Sequence, residues 1–387
     1  MKRLVLAAAL IVAGAAASAQ VAITPDNATK LRQVGAEVLF WSQQQRDQNF
    51  REMEKIFPGH VVKAGKKVLP LPSGKPLAIT EGDIETAMTD LNMAGLIVVQ
   101  DGKVRLERYG LAYGPEGRWT SFSVAKSFTS TLVGAAIRDG YIKSLDDPVT
   151  RYIPDLAGGG YDGVTVRQLL TMTSGVKWNE DYTDPKSDVA RMFSDDVPAG
   201  QDPTVWFMKK LPRESVPGTK WVYKTGETNL IGVLVERATK KSLADYLSEK
   251  VWQPWGMERD GFWMVGPTGH EVSGCCLSVS LRDYARMGMF VLAGGKGVVP
   301  DGWFAEATTN RIPLPPGNNG YGYGYQWWTM PDGRFAALGI FGQSIFIDPA
   351  KKLVVVMSGS WPTATGEKLS AARGEFWKKV EAAADVK

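Results

Sequence analysis

A chain of 387 residues, 44% hydrophobic and 22% charged, has the composition of an enzyme-sized globular protein and argues against fibrous and disordered classes. Its net charge of +4, about +2 once a leader carrying Lys2 and Arg3 is removed, lacks the clustered positive footprint of a nucleic-acid binder. Two histidines, His60 and His270, are too few for the usual zinc-hydrolase ligand sets, and no G-x-S-x-G elbow occurs, so a hydrolase of this sequence is expected to use a base other than histidine.

The elements follow in chain order. Lys2 and Arg3, the apolar run 4–16 and the A-x-A site Ala17-Ser18-Ala19 read as an export signal cut before Gln20. The run is too short to span a bilayer. The expectation is therefore a periplasmic or secreted protein without a stable membrane anchor, with retention of the leader as the alternative. Residues 20–95 read as an extension that wraps the core, with a helix-like stretch over 29–56 and a Pro- and Lys-rich connection over 63–76. A hairpin is predicted over 96–109, with Asp101-Gly102 as its turn. A deeply buried helix follows over 122–138, apolar nearly all round and stopped by Gly140.

The region 141–310 reads as mostly helix and loop, with helices near 166–171, 227–238, 243–251 and 281–292. The adjacent Cys275 and Cys276 offer no disulfide framework, because neighbouring residues rarely bridge, and read as small core residues. Strands return at 335–338, 343–347 and 353–358, and a last amphipathic helix runs over 367–384. No later apolar stretch approaches membrane-spanning length. The pattern predicts an α+β fold, 96–387. In it an antiparallel sheet of about five strands, built from both termini, is flanked by helices and interrupted by the helical insertion 141–310.

The central chemical signal is Ser123-Val124-Ala125-Lys126. Positions i and i+3 share a helix face, so a lysine can stand beside a serine hydroxyl. Burial at the start of an apolar helix would lower that lysine's pKa and make it a base. Spacing alone is weak evidence, since Ser174-Gly175-Val176-Lys177 repeats it. That copy contains a glycine and lacks the buried helix.

Ser121 to Phe128, Leu145-Asp146-Asp147-Pro148-Val149 with Tyr152-Ile153-Pro154, and Leu169-Leu170-Thr171-Met172-Thr173-Ser174-Gly175 resemble, in that order, segments of the serine β-lactamase and penicillin-binding superfamily. The resemblance spans most of 95–365. It implies a three-layer β-lactamase/transpeptidase-like fold, a serine acyl-enzyme on Ser123 and no cofactor or metal. It places Ser174 in a structural turn. It also calls for a tyrosine that relays protons, best matched by Tyr223 in Tyr223-Lys224-Thr225, a buried structural tyrosine being the alternative. Lys224-Thr225-Gly226 spells the family's strand motif but opens a helix, so Ile340-Phe341-Gly342-Gln343 is the better match. The backbone N–H groups of Ser123 and Gln343 would then form the oxyanion hole. Ile340 and Thr225 depart from the family's residues, which favours an esterase or amidase.

Within the superfamily, Trp178-Asn179-Glu180-Asp181-Tyr182 and Gly339-Ile340-Phe341-Gly342-Gln343 are similar to the 6-aminohexanoate-dimer hydrolases, amidases that also cleave short esters. That likeness implies a substrate-binding role for Tyr182, with a loop tyrosine of no role as the alternative. Trp178, Trp327 and Trp328 could line an apolar pocket or simply belong to the core. The expected partner is a small amide or ester. A class C-type β-lactamase, a D-Ala-D-Ala carboxypeptidase and a non-catalytic sensor stay open as rivals. The natural substrate and oligomeric state are not legible.

Overall fold

The computed structural model describes residues 35, 37–309, 312–314 and 320–386. The predicted leader lies outside them, as does the first part of the helix expected over 29–56. The rest of that stretch is broken. A 3₁₀ turn covers Val38–Phe40, Trp41 is extended, and Ser42 restarts the chain as α1 (Gln43–Asn49). The Ser42 hydroxyl accepts from Gln45 N, while Gln45 Oε1 accepts from Ser42 N. This reciprocal cap begins a new helix where periodicity alone suggested one continuous helix.

Chain order continues with β1 (Gly59–Val62), α2 (Glu81–Asp90), β2 (Met93–Gln100) and β3 (Lys103–Tyr109). Asp101 and Gly102 take φ of 48° and 74° in the β2–β3 turn, the left-handed pair that a two-residue hairpin demands. After β4 (Trp119–Thr120) and the 3₁₀ turn Phe122–Val124 comes α3 (Ala125–Arg138), buried along nearly its whole length. The middle of the chain supplies α4 (Val166–Leu170), α5 (Asp188–Ser194), α6 (Pro203–Lys209), α7 (Thr225–Thr239), α8 (Leu243–Leu247), β5 (Gly261–Met264), β6 (Leu277–Val279), α9 (Leu281–Leu292) and α10 (Trp303–Ala307). The C-terminal part adds β7 (Ile312–Pro313), β8 (Gly322–Tyr323), β9 (Trp328–Thr329), β10 (Phe335–Leu338), β11 (Ser344–Asp348), β12 (Leu353–Gly359) and α11 (Glu367–Ala384).

The main sheet runs β3-β2-β12-β11-β10-β9-β8-β7, antiparallel throughout. The N-terminal hairpin pairs with the C-terminal strands, so the sheet is built from both ends of the chain. Its five longer strands match the expected number; β9, β8 and β7 extend it by two residues each. Successive side chains of β2, β11 and β12 enter opposite cores. Ile97, Val99, Ile345, Ile347, Val354 and Val356 join the larger core, which also contains α3 and α9. Leu96, Val98, Phe346, Val355 and Met357 join the smaller core under α2 and α11. This is a three-layer α+β fold. A second sheet, β1-β5-β6-β4, lies apart from the first. No helix among the described residues is long and apolar enough to cross a membrane.

Candidate active site

Ser123 follows a strained residue. Phe122 has φ of 41°, a value bulky side chains avoid, and Phe341 in the β10–β11 turn has φ of 59°. Their rings pack at 5.2 Å, and Phe50 from the N-terminal segment packs on both, at 4.9 and 5.5 Å. Three aromatic rings therefore hold two left-handed residues in place, one beside the serine and one in the facing turn.

Lys126 stands one turn along α3 and is 1% exposed. Its Nζ donates to Ser123 Oγ at 3.1 Å, Thr225 Oγ1 at 3.0 Å and the Gly274 carbonyl at 2.7 Å. An ammonium has three N–H donors, and this arrangement uses all three. Helix α7 builds two of the contacts, because Thr225 and Asn229 share a face four residues apart. Thr225 touches Lys126, and Asn229 Oδ1 accepts from Gly274 N at 2.7 Å. A Cβ on Gly274 would come within 2.8 Å of Thr225 Cγ2, so only glycine lets this carbonyl approach. Burial pulls the Lys126 amine down to about 7, and the Glu180 carboxylate partly offsets that.

Tyr223 precedes α7 and shares the wall of one cavity with Ser123. Lys126 Nζ is 5.2 Å from its ring centroid. Burial first, and Glu180 second, push the phenol well above its ordinary value, so it stays protonated at neutral pH. Trp328 stacks on the ring at 5.5 Å, with Trp221 and Tyr323 at its edges. Tyr182 is half-buried and donates to Glu180 Oε1 at 2.8 Å.

Sequence reasoning missed Glu180. Its carboxylate also accepts from Thr225 N at 2.9 Å, from the Thr225 hydroxyl and from Trp178 Nε1. The available signal was alternation. Trp178, Glu180 and Tyr182 are two residues apart on an irregular segment, a spacing that puts side chains on one side of an extended chain. Thr225 was noticed only as a departure from the family motif, yet it joins Lys126 to Glu180.

Two cavities meet at Ser123. The larger, about 340 Å³, is shared by Ser123, Glu180, Tyr182, Tyr223 and Ile340. The narrower, about 60 Å³, is shared by Ser123, Tyr182, Thr225, Gly274 and Ile340. Gln343 lines neither cavity. Phe341 and Gly342, with φ of 59° and 94°, turn the chain and carry Gln343 toward β12. There its amide exchanges hydrogen bonds with the Gly359 backbone at 2.7 and 3.0 Å. Ile340 lines both cavities. A Cβ on the preceding Gly339 would lie 3.1 Å from Ser123 N, so only a glycine brings this backbone against the serine. None of the Ser123, Ile340 and Gln343 N–H groups donates within the described turns and loops.

The cysteine expectation also changes. Cys275 and Cys276 form a disulfide and both line the narrower cavity. Cys276 takes φ of 70°, a local turn that brings the two sulfurs to the same side. The histidines stand elsewhere, His60 on Glu271 and His270 on Glu236. Trp328 lines the larger cavity, whereas Trp327 is buried against Phe335. Among the described residues, no cluster of His, Cys, Asp and Glu gathers as metal ligands.

The family profile described as Beta-lactamase matches residues 82–375. The chain is 32% identical to a 6-aminohexanoate-dimer hydrolase of Paenarthrobacter ureafaciens, over 74% of this chain and 77% of that protein. A beta-lactamase of Escherichia coli strain K12 is 30% identical over 38% of this chain and 35% of that protein. Among solved structures, a Bacillus anthracis chain described as a candidate 6-aminohexanoate-dimer hydrolase superposes with a TM-score of 0.78. That match covers 94% of this chain and 98% of the other at 22% identity, which is a likeness of fold. A profile spanning most of the chain and a relative identical at nearly a third of the aligned residues agree with the Ser-Lys geometry: the chain belongs to the beta-lactamase family of serine hydrolases.

Proposed function

We propose that the protein hydrolyses short linear amides or esters through an acyl-enzyme on Ser123. The observation that carries this reading is the buried amine of Lys126, held to about 7, with its nitrogen 3.1 Å from Ser123 Oγ. The neutral amine keeps two N–H bonds for Thr225 and Gly274 and turns its lone pair to the serine. The Ser123 proton passes to Nζ as Oγ bonds the substrate carbonyl carbon. The carbonyl oxygen, now negative, is held by the N–H groups of Ser123 and Ile340. Tyr223 protonates the departing nitrogen or oxygen, the bond to it breaks, and Lys126 returns a proton to the phenol. Water reverses the sequence and releases the acid. Every proton moves among Lys126, Tyr223, substrate and water, so the route calls for no metal or cofactor. Tyr182, which lines both cavities, would touch the substrate there.

The linear-amide preference draws on the likeness to the Paenarthrobacter ureafaciens enzyme. The test is mass spectrometry after mixing with p-nitrophenyl butyrate. We expect a butyryl adduct on the peptide containing Ser123, and turnover that outpaces β-lactam hydrolysis. An adduct on Ser174, or none on any serine, refutes the reading. The leader motif supports export to the periplasm or medium, and the Cys275–Cys276 disulfide suits an oxidising compartment. Amino-terminal sequencing of exported protein should begin at Gln20.

A further inference from the structure

Behind the narrower cavity at Ser123 lies a further cavity, also about 60 Å³. Gly35, Phe193 and Met264 line both, so these residues form the wall between them. Ser123 lines only the first. The second continues past Met192, Val233 and Val272, and Asp202 and His270 line it too, apart from the acyl-transfer machinery.

Two helices carry the lining from one cavity to the next. On α5, Val189 lines the first and Met192 the second, while Phe193, one turn beyond Val189, lines both. On α7, Thr225 lines the first, and Asn229 and Val233, one and two turns further along the same face, line the second. At a rise of about 1.5 Å per residue, that face spans about 12 Å from Thr225 to Val233. Asn229 interrupts it with an amide that is already engaged. Its oxygen accepts from Gly274 N at 2.7 Å, and its nitrogen donates to Met192 Sδ at 3.7 Å. An apolar chain passing along this face therefore strips no partner from Asn229.

Met264 ends β5 on a fixed backbone. Its N–H donates to the Cys276 carbonyl at 3.1 Å, and its carbonyl accepts from Val272 N at 2.9 Å. The side chain is buried and unbranched, and a thioether chain bends. The wall it makes with Phe193 is therefore a soft one that a longer chain displaces at a cost.

Tyr223 protonates the departing group and does not line the narrower cavity, so the acyl chain extends there. None of the residues lining that cavity is charged, which suits an apolar acyl group. We propose that Met264 and Phe193 are specificity residues that set the length of the acyl chain. A butyryl group ends within the first cavity, whereas an octanoyl group must push past the wall into the second. The assignment rests on the acyl-transfer reading above.

The test compares kcat/KM for p-nitrophenyl butyrate and p-nitrophenyl octanoate. The wild type should favour the butyrate by roughly tenfold or more, the lower end of what a methylene out of place costs in an apolar pocket. Met264→Ala should bring that ratio to one or below, and Phe193→Leu should move it the same way by less. Adding Val233→Phe to Met264→Ala should refill the second cavity and return the ratio toward wild type. A wild type indifferent to chain length overturns the proposal. So does a Met264→Ala ratio equal to wild type, or a double variant that keeps the gain. Should the variants fail to fold, alkylboronic acids decide with the wild type alone, because boron bonds Ser123 Oγ and leaves the alkyl chain on the acyl side. Butylboronic acid must then inhibit more strongly than octylboronic acid, and the reverse order or equal inhibition refutes the assignment. Failure of the wild type to hydrolyse p-nitrophenyl butyrate at all would instead refute the acyl-transfer reading, so the two failures are separable.

Discussion

The chain carries Ser-x-x-Lys twice, and the two copies share a spacing but little else. Around Ser123, the spacing falls on the start of a buried helix, and Lys126 points its nitrogen at the hydroxyl with three acceptors about it. Around Ser174, it falls on an irregular turn with Met172 and Gly175 at φ of 55° and 77°. The Ser174 hydroxyl donates to buried Glu227 and accepts from Val176 N at 3.1 Å, while Lys177 is exposed. One serine is held against a potential base and the other against a buried acid. Reactivity therefore depends on what the helix buries beside the hydroxyl, and spacing only makes the encounter possible.

The hardest break of this comparison is at the nucleophiles. Ser123→Ala should abolish turnover and covalent labelling by a fluorophosphonate probe while leaving the thermal midpoint near wild type. Ser174→Ala should still label. If the labelled residue is Ser174, the assignment is reversed. The lysines should differ almost as sharply. Lys126→Met should lower kcat/KM by roughly 10²-fold or more, the range lost with a general base. Lys177→Met should stay within about twofold by the same principle, because a solvated ammonium has nothing to deliver to a distant hydroxyl. Steady-state rates with p-nitrophenyl butyrate decide, and equal losses at the two lysines would remove the distinction.

A finer test uses pH. A base must be neutral, so kcat/KM should rise with pH through an acid limb near 7, set by Lys126. Glu180 raises that amine, so Glu180→Gln should move the limb to lower pH. A limb that stays put in this variant rules out Lys126 as the titrating group. Stability should follow the same group. The folded amine is depressed from 10.5 to about 7, so the unfolded chain binds more protons between those values. Resistance to urea should therefore gain a contribution as pH rises across that window, and Lys126→Met should remove it.

Where local chemistry dictates structure, the sequence was legible. Asp101-Gly102 can take two left-handed residues, so the hairpin is readable from the short strands that flank the turn. Helix α11 and the strands before it follow their apolar periods. Pairing between distant segments was not legible. Strand β1 meets β5 some two hundred residues later, and four residues of GHVV carry no mark of that partner. The site divides in the same way. Ser123 and Lys126 are one helical turn apart and could be read together. Glu180 and Arg373 reach the cavity from separate elements, and only the alternation of Trp178, Glu180 and Tyr182 gives a local cue to the first. The turn that carries Gln343 away from both cavities hinges on a left-handed phenylalanine, which no propensity anticipates.

The smallest expected effect falls on the second serine and concerns stability. Glu227 is fully buried, and burial raises its carboxyl above the ordinary value despite Lys224 at 3.7 Å. Its Oε2 has no partner, and Oε1 takes the Ser174 hydroxyl and, at 3.4 Å, that of Tyr161. Ser174→Ala removes the nearer of these donors and also the acceptor for Val176 N. Leaving buried polar groups unmet costs about 1–3 kcal/mol. That loss should appear as a lower urea midpoint at pH 7, with the rate of p-nitrophenyl butyrate hydrolysis per labelled active site close to wild type. Ser174→Thr, which keeps the hydroxyl, should recover part of the midpoint. A Ser174→Ala variant as stable as wild type but slow per labelled site would give this turn a catalytic part, and the two copies of the motif would no longer divide into chemistry and scaffold.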